Sequence, residues 1–309
     1  MRILVLMSTY NGEKYITHQL KSILNQLPYQ GRIIIRDDGS KDNTRNKIRA
    51  IKDTRIELIE GNNIGFALSY LELLALTPLN YDIYMLSDQD DIWLPDKIQR
   101  SVSALSPYLE IPALYCTRME LVDENLNYLG LSPLWPNLPS FSNALTENIV
   151  TGCTAAITRP LRTLAIIPDG REKIFFHDWW LYLVGSAFGK VIYDPIPTIQ
   201  YRQHQNNVIG MKYGINRYLA IIKFISTTSW IKILENQNGI FKAKFSDNLP
   251  NKNLIHLNQI INDNGIIRRT RIALSLNRHR QFLLDEIMLR ILLLFDHRKS
   301  PKKEIIIMQ

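Results

Sequence analysis

Four strand-like runs, at residues 2–8, 32–36, 56–60 and 82–86, each end in a polar turn, and segments with helical features separate them. An uninterrupted apolar strand such as Arg2–Ser8 suits a parallel sheet, whose two faces are both covered by helices. Tyr15, Ile16, Leu20, Ile23 and Leu24 fall at helical spacing within 14–25, and further helices are expected over 42–52 and 66–76. This alternation predicts a mostly parallel, right-handed α/β sheet. Ligands of such sheets bind beyond the carboxyl ends of the strands. Tyr10, Asp38, Asn63 and the acids at 88–91 all stand just past a strand end, so four polar turns are sent to one edge.

The last of these turns, Asp88-Gln89-Asp90-Asp91, packs three carboxylates into four residues. Their mutual repulsion calls for a cation, and oxygen ligands suit Mg²⁺ or Mn²⁺ held jointly with substrate phosphates. A solvated acidic turn is the other reading of this stretch by itself. Leu94-Pro95 then opens an expected helix, with proline near its first turn. Glycine-loop nucleotide binding is excluded: a single Gly12 stands in the first turn, and no G-x-x-x-x-G-K-[ST] occurs. A ring at Tyr10 and a carboxylate at Asp38 suit a pyrimidine base, the carboxylate accepting its N–H. Asp-Gly is equally ordinary turn chemistry, and Ser40 or Asp42 would serve as a helix cap.

Further on, strands are expected over 113–118, 155–158, 190–193 and 198–201, with a proline-bearing loop at 131–141. An apolar helix opens at Phe175-Phe176-His177-Asp178-Trp179-Trp180. Asp178 at its start serves as cap or as base; the flanking rings would desolvate it, raising its pKa and basicity. Aromatic rings there would also suit a sugar face. His204 reads as a structural histidine or as a ligand beside carboxylates, which suits Mn²⁺ better than Mg²⁺.

Length and composition fit a globular chain with a full core: 309 residues, 46% hydrophobic and 21% charged. Two cysteines, Cys116 and Cys153, lack metal or redox spacing and point to a reducing compartment. The start lacks the features of a secretory leader, and no run of 18 uncharged apolar residues occurs, so no transmembrane helix is expected. Residues 1–210 hold 20 Lys/Arg against 22 Asp/Glu, a net of −2, whereas 211–309 hold 17 against 7, a net of +10. Such a tail suits an anionic membrane; nucleic acid is not expected, for want of a binding motif. Helical spacing recurs in the tail at Tyr218, Ile221, Ile222 and Ile225, and again at Leu283, Ile287, Ile291 and Leu294.

Together, Thr9-Tyr10-Asn11-Gly12, Asp37-Asp38-Gly39-Ser40, Asp88-Gln89-Asp90-Asp91, His177-Asp178 and Gln203-His204 resemble family 2 glycosyltransferases of the GT-A fold. The stretches SDQDDIW and HDWW are most similar to the bacterial rhamnosyltransferase group. The resemblance implies a catalytic domain over 1–212, with a nucleotide-binding half at about 1–110 and an acceptor half at 111–212. A basic helical extension, 213–309, follows. It implies donor contacts from Thr9, Tyr10, Asn11, Asp38, Asp88, Gly152 and Arg202, metal contacts (Mn²⁺ or Mg²⁺) from Asp90 and His204, and Asp178 as catalytic base. The implied activity is inverting transfer of a sugar to a glycan acceptor on a lipid carrier, from dTDP-rhamnose or, as runner-up, a UDP-hexose. The implied place is the cytoplasm, with the tail helices docking on the inner membrane face or packing on the domain. A catalytically inactive sugar-binding or scaffold relative is the alternative. The family often has Glu-Asp where this chain has His177-Asp178, and the Gln-x-x-Arg-Trp of processive synthases is lacking, which points to one sugar per encounter.

Overall fold

The four runs fold as β1 (Ile3–Thr9), β2 (Arg32–Asp37), β3 (Ile56–Glu60) and β4 (Ile83–Ser87). Between them lie α1 (Ile16–Leu24), α2 (Thr44–Arg49) and α3 (Phe66–Leu76). The computed structural model describes residues 1–167, 174–204, 230–260, 270, 274 and 279–295. The expected helix with Tyr218, Ile221, Ile222 and Ile225 lies outside the described residues. Further along come β6 (Ala113–Thr117), β9 (Ala156–Thr158), α6 (Arg159–Ala165), α7 (His177–Phe188) and β10 (Lys190–Asp194). Among the described residues, seven strands make one sheet in the order β10-β6-β9-β4-β1-β2-β3.

Side chains alternate across the strands. Leu4, Leu6, Ile34 and Leu86 enter one core with residues of α3 and α7, while Val5, Met7, Ile33 and Met85 enter the other with residues of α1. All pairings in this sheet are parallel except those of β9, which runs antiparallel to both β4 and β6. Its reversed direction has a consequence for position: the start of β9, not its end, lies at the carboxyl edge of β4, so the turn Gly152–Thr154 is delivered there.

A second sheet, β5 (Ile92–Trp93), β11 (Ile199–Arg202), β7 (Glu120–Val122) and β8 (Tyr128–Leu131), was not anticipated in full. The helix expected from Leu94-Pro95 forms as α4 (Lys97–Leu105), and before it Ile92 and Trp93 make an unanticipated strand, pairing antiparallel with Gln200 and Ile199. That short ladder ties the acidic turn to the end of β11, from which Arg202 and His204 emerge.

Beyond residue 213, the helices Trp230–Phe245 and Asn251–Ile260 pack on the preceding fold. Phe241, Phe245 and Leu257 join the core that holds Trp180, with ring centroids of Trp180 and Phe241 6.1 Å apart. No helix among the described residues is long and apolar enough to cross a membrane.

Candidate active site

The strand order reverses between β1 and β4: β2 and β3 continue on one side of β1, β4 on the other. This switch point is the usual ligand position in such sheets. Gln89 clasps the loops that leave these two strands. Its Oε1 accepts from the Tyr10 amide (3.0 Å) and its Nε2 donates to the Tyr10 carbonyl (3.1 Å). A Cβ on Gly12 would meet that amide group, so a larger residue here would push the Gln89 side chain out of its clasp. Asn11 adopts φ +48°, its amide donating to Ser40 Oγ (2.9 Å) and its Oδ1 accepting from the Lys41 amide (2.9 Å). Thr9 Oγ1, buried, donates to Asp37 Oδ2 (3.1 Å). The turns after β1 and β2 are thus sewn together.

Asp38 departs from the expectation that it faces the nucleotide base. It is buried, paired with the Arg36 guanidinium, and accepts from the amides of Ile64 and Gly65 (2.9 Å each). A carboxylate so occupied fixes the turn after β3 rather than presenting itself to a ligand.

The three acids of the fourth turn take different partners. Asp88 Oδ1 accepts from the Tyr70 hydroxyl (2.8 Å), Asp91 Oδ1 from the Arg202 amide (3.2 Å), and Asp90 Oδ2 meets His204 Nε2 at 2.8 Å. Burial, then the nearby Asp90 charge, pushes the carboxyls of Asp88 and Asp91 up from their ordinary value. The ligating atoms of Asp88, Asp91 and Cys153 lie within 4.8 Å of one another. Beneath them sits Lys97, fully buried, its ammonium donating to the carbonyls of Cys153 (3.1 Å) and Thr154 (3.3 Å) over the Trp93 ring. Burial lowers the Lys97 pKa to about 8, and when protonated it balances the inner carboxylates. The outer pair, Asp90 and His204, offers one carboxylate and one imidazole side by side, a donor set that suits Mn²⁺. Tyr15, which the helical pattern places on α1, precedes that helix instead. Its ring lies under the His204 ring (5.2 Å) and the Arg202 guanidinium (4.6 Å). Arg202 is itself buried, its Nε donating to the Asp90 carbonyl (2.9 Å).

Asp178 stands in the first turn of α7. Its Oδ1 accepts from the Trp179 amide (2.7 Å) and its Oδ2 from the Gly152 amide (3.1 Å). Burial outweighs these bonds and raises its pKa to about 6. The rings named as sugar partners are otherwise employed: Trp179 and Trp180 are core residues whose indole N–H groups donate to the carbonyls of Ala144 and Ala165. His177, buried, stacks on Tyr70 with centroids 4.1 Å apart, and neither ring nitrogen has a hydrogen-bond partner. Tyr70 thereby links the acidic turn to the start of α7, donating to Asp88 while stacking on the neighbour of Asp178.

A Cβ on Gly152 would lie 2.6 Å from His177 Nε2. Gly152→Ala should therefore cost about 1–3 kcal/mol through overpacking. Gly239→Ala, in the Trp230–Phe245 helix with nothing within 4 Å of the added carbon, should be neutral or stabilising. Equilibrium denaturation of the two variants checks the contrast.

A mostly parallel α/β sheet with carboxylates gathered at its switch point agrees with the GT-A architecture expected from the sequence. The chain belongs to glycosyl transferase family 2, whose model matches residues 4–163, more than half its length. It is 28% identical to the dTDP-rhamnosyl transferase RfbG of Shigella flexneri, across 94% of this chain and 99% of that protein. It is 29% identical to the UDP-Glc:alpha-D-GlcNAc-diphosphoundecaprenol beta-1,3-glucosyltransferase WfgD of Escherichia coli, covering 68% and 80% respectively. Among solved structures, S. aureus TarS 1-349 in complex with UDP-GlcNAc superposes with a TM-score of 0.61 at 15% identity, covering 95% of this chain and 79% of that one.

Proposed function

We propose that the chain is an inverting rhamnosyltransferase, moving rhamnose from dTDP-rhamnose to a hydroxyl of a growing cell-surface polysaccharide or lipid-linked glycan on the cytoplasmic side of the membrane. The observation that supports it best is the meeting of Asp88, Tyr70, His177, Asp178 and Gly152 in one hydrogen-bonded and stacked group. Similarity to a dTDP-rhamnosyl transferase along nearly the whole chain supports the donor. Presence of donor, metal and base residues together favours transfer over a purely sugar-binding or scaffold role.

In this reading Thr9, Tyr10 and Asn11 border the nucleotide, Asp38 braces the adjoining turn, Asp88 takes the ribose and Gly152 lines the sugar pocket. A divalent ion, Mn²⁺ or Mg²⁺, held by Asp90 and His204 supplies, when bound, neutralisation of the diphosphate charge. Arg202 adds positive charge on the same side. Asp178 removes the proton from the acceptor hydroxyl while that oxygen attacks the anomeric carbon opposite the leaving diphosphate, so the configuration inverts. Residues 1–212 carry this chemistry, with 1–110 as the nucleotide-binding half and 111–212 as the acceptor half, which also brings Gly152, Arg202 and His204 to the donor, and the basic extension 213–309 meets the membrane.

A base with a pKa of about 6 must be ionised to act. The turnover rate should thus rise with pH up to about 6 and level off above it. A steady-state profile at saturating donor checks this; a rate unchanged down to about pH 4.5 speaks against Asp178 as base. A UDP-hexose donor is the second reading, favoured by the similarity to a UDP-glucose enzyme. A donor screen with purified protein and Mn²⁺, read by nucleotide diphosphate release, separates them: dTDP from dTDP-rhamnose on the first reading, UDP on the second.

A further inference from the structure

The helix Leu283–Phe295 is turned inside out for a surface helix. Its acids face inward: Asp285 and Glu286 are each 3% exposed. Glu286 Oε2 accepts from the amides of His279 (2.9 Å) and Arg280 (2.8 Å), and Oε1 from Arg290 Nε (2.9 Å). Five of its apolar residues face outward at helical spacing, Leu283 62%, Leu284 56%, Ile287 43%, Ile291 50% and Leu294 48% exposed, while Leu289, 1% exposed, packs inward. The patch does not stop at the helix. Asn137 donates to the side chain and carbonyl of Gln281 (2.9 and 3.2 Å), and the Trp135 ring meets that of Phe282 at 5.6 Å. This fixes the proline-bearing loop beside the helix start and brings Leu134 (50% exposed) and Leu138 (88%) alongside.

We propose that this patch is where the protein docks on an anionic lipid bilayer, lying in the headgroup region without spanning it. Contiguous apolar surface of this kind marks a binding face. Charge selects the occupant. The patch belongs to a segment, 211–309, with a net charge of +10, and Arg298, Lys299, Lys302 and Lys303 follow the helix directly in sequence. An anionic surface attracts that charge, whereas a second copy of the same face would bring like charges together. The patch also adjoins the acceptor side. The loop leads into α5 (Phe141–Ala144), and the Ser140 amide donates to the Tyr182 hydroxyl (3.2 Å) on α7, the helix of Asp178. A bilayer held there would present a lipid-linked acceptor toward the base. This last step rests on the proposed transferase reading; the docking itself does not.

The test is co-sedimentation of the full chain with phosphatidylglycerol-containing vesicles and with pure phosphatidylcholine vesicles, in the absence of any sugar. Wild type should bind the anionic vesicles preferentially, and the Leu284→Gln/Ile287→Gln/Ile291→Gln triple variant should bind at least about tenfold less, with an unchanged melting temperature. Transfer to a soluble acceptor should be equal for the two proteins. A failure of transfer with vesicle binding intact would count against the transferase reading alone. Equal vesicle binding by wild type and triple variant, or none by wild type, would overturn the docking proposal. So would a wild-type dimer in light scattering that the triple variant abolishes, because the face would then be an interface between copies.

Discussion

Asp178→Asn is expected to lower turnover on the order of a thousandfold while leaving donor affinity within a factor of about two. The substitution removes the basic lone pair and keeps the shape: the one carbonyl oxygen of asparagine accepts from the amide of Trp179 or Gly152, and the other amide loses its acceptor, a cost local to the start of α7. On the proposed reading the nucleotide is anchored elsewhere, on the turns after β1 and β4. Its binding, followed by calorimetric titration, should therefore separate from turnover, followed by nucleotide diphosphate release. The environment gives the size of the effect: burial raises this carboxyl to about 6, which makes it a stronger base than an exposed aspartate and still ionised at neutral pH. An Asp178→Asn enzyme with activity within tenfold of wild type would remove the base from the account.

Asp90→Ala is expected to weaken Mn²⁺-dependent nucleotide binding about 10- to 100-fold, the usual cost of disturbing a metal shell. The turn itself should survive, because Arg202 Nε holds the Asp90 backbone carbonyl and the Arg202 amide holds the Asp91 side chain. His204→Ala should act in the same direction. Titrating dTDP with Mn²⁺ and again with EDTA reads the effect without any turnover: wild type should differ between the two conditions, Asp90→Ala hardly at all. Equal dTDP affinity for wild type with and without chelator would place the metal outside donor binding.

The sheet strands were legible because buried parallel strands are continuous apolar runs, and Arg2–Ser8 or Asp82–Leu86 hardly admit another reading. The acidic turn was legible for a different reason: three carboxylates within four residues demand an explanation. The small second sheet was only partly legible, since β5 has two residues and β7 three, too short for any periodicity to show. Lys97 gave no sign of its burial, which depends on carbonyls more than fifty positions away in the turn before β9. The aromatic flanks of Asp178 were visible, but not that Trp179 and Trp180 would spend their N–H groups on core carbonyls. Nor could Asp38 be distinguished from a ligand-facing acid until Arg36 and the amides of Ile64 and Gly65 were seen to occupy it. The spacing of Leu283, Ile287, Ile291 and Leu294 gave a helix; that this face points outward follows from Glu286 being needed inside to take two backbone amides.

The proposed mechanism puts the leaving diphosphate and Asp178 on opposite faces of one anomeric carbon. The most direct test is the anomeric configuration of the product, determined by NMR after transfer from dTDP-β-L-rhamnose. An α-linked rhamnoside, the inverted product, is predicted. A β-linked product would mean retention, and a single displacement assisted by Asp178 could not have formed it.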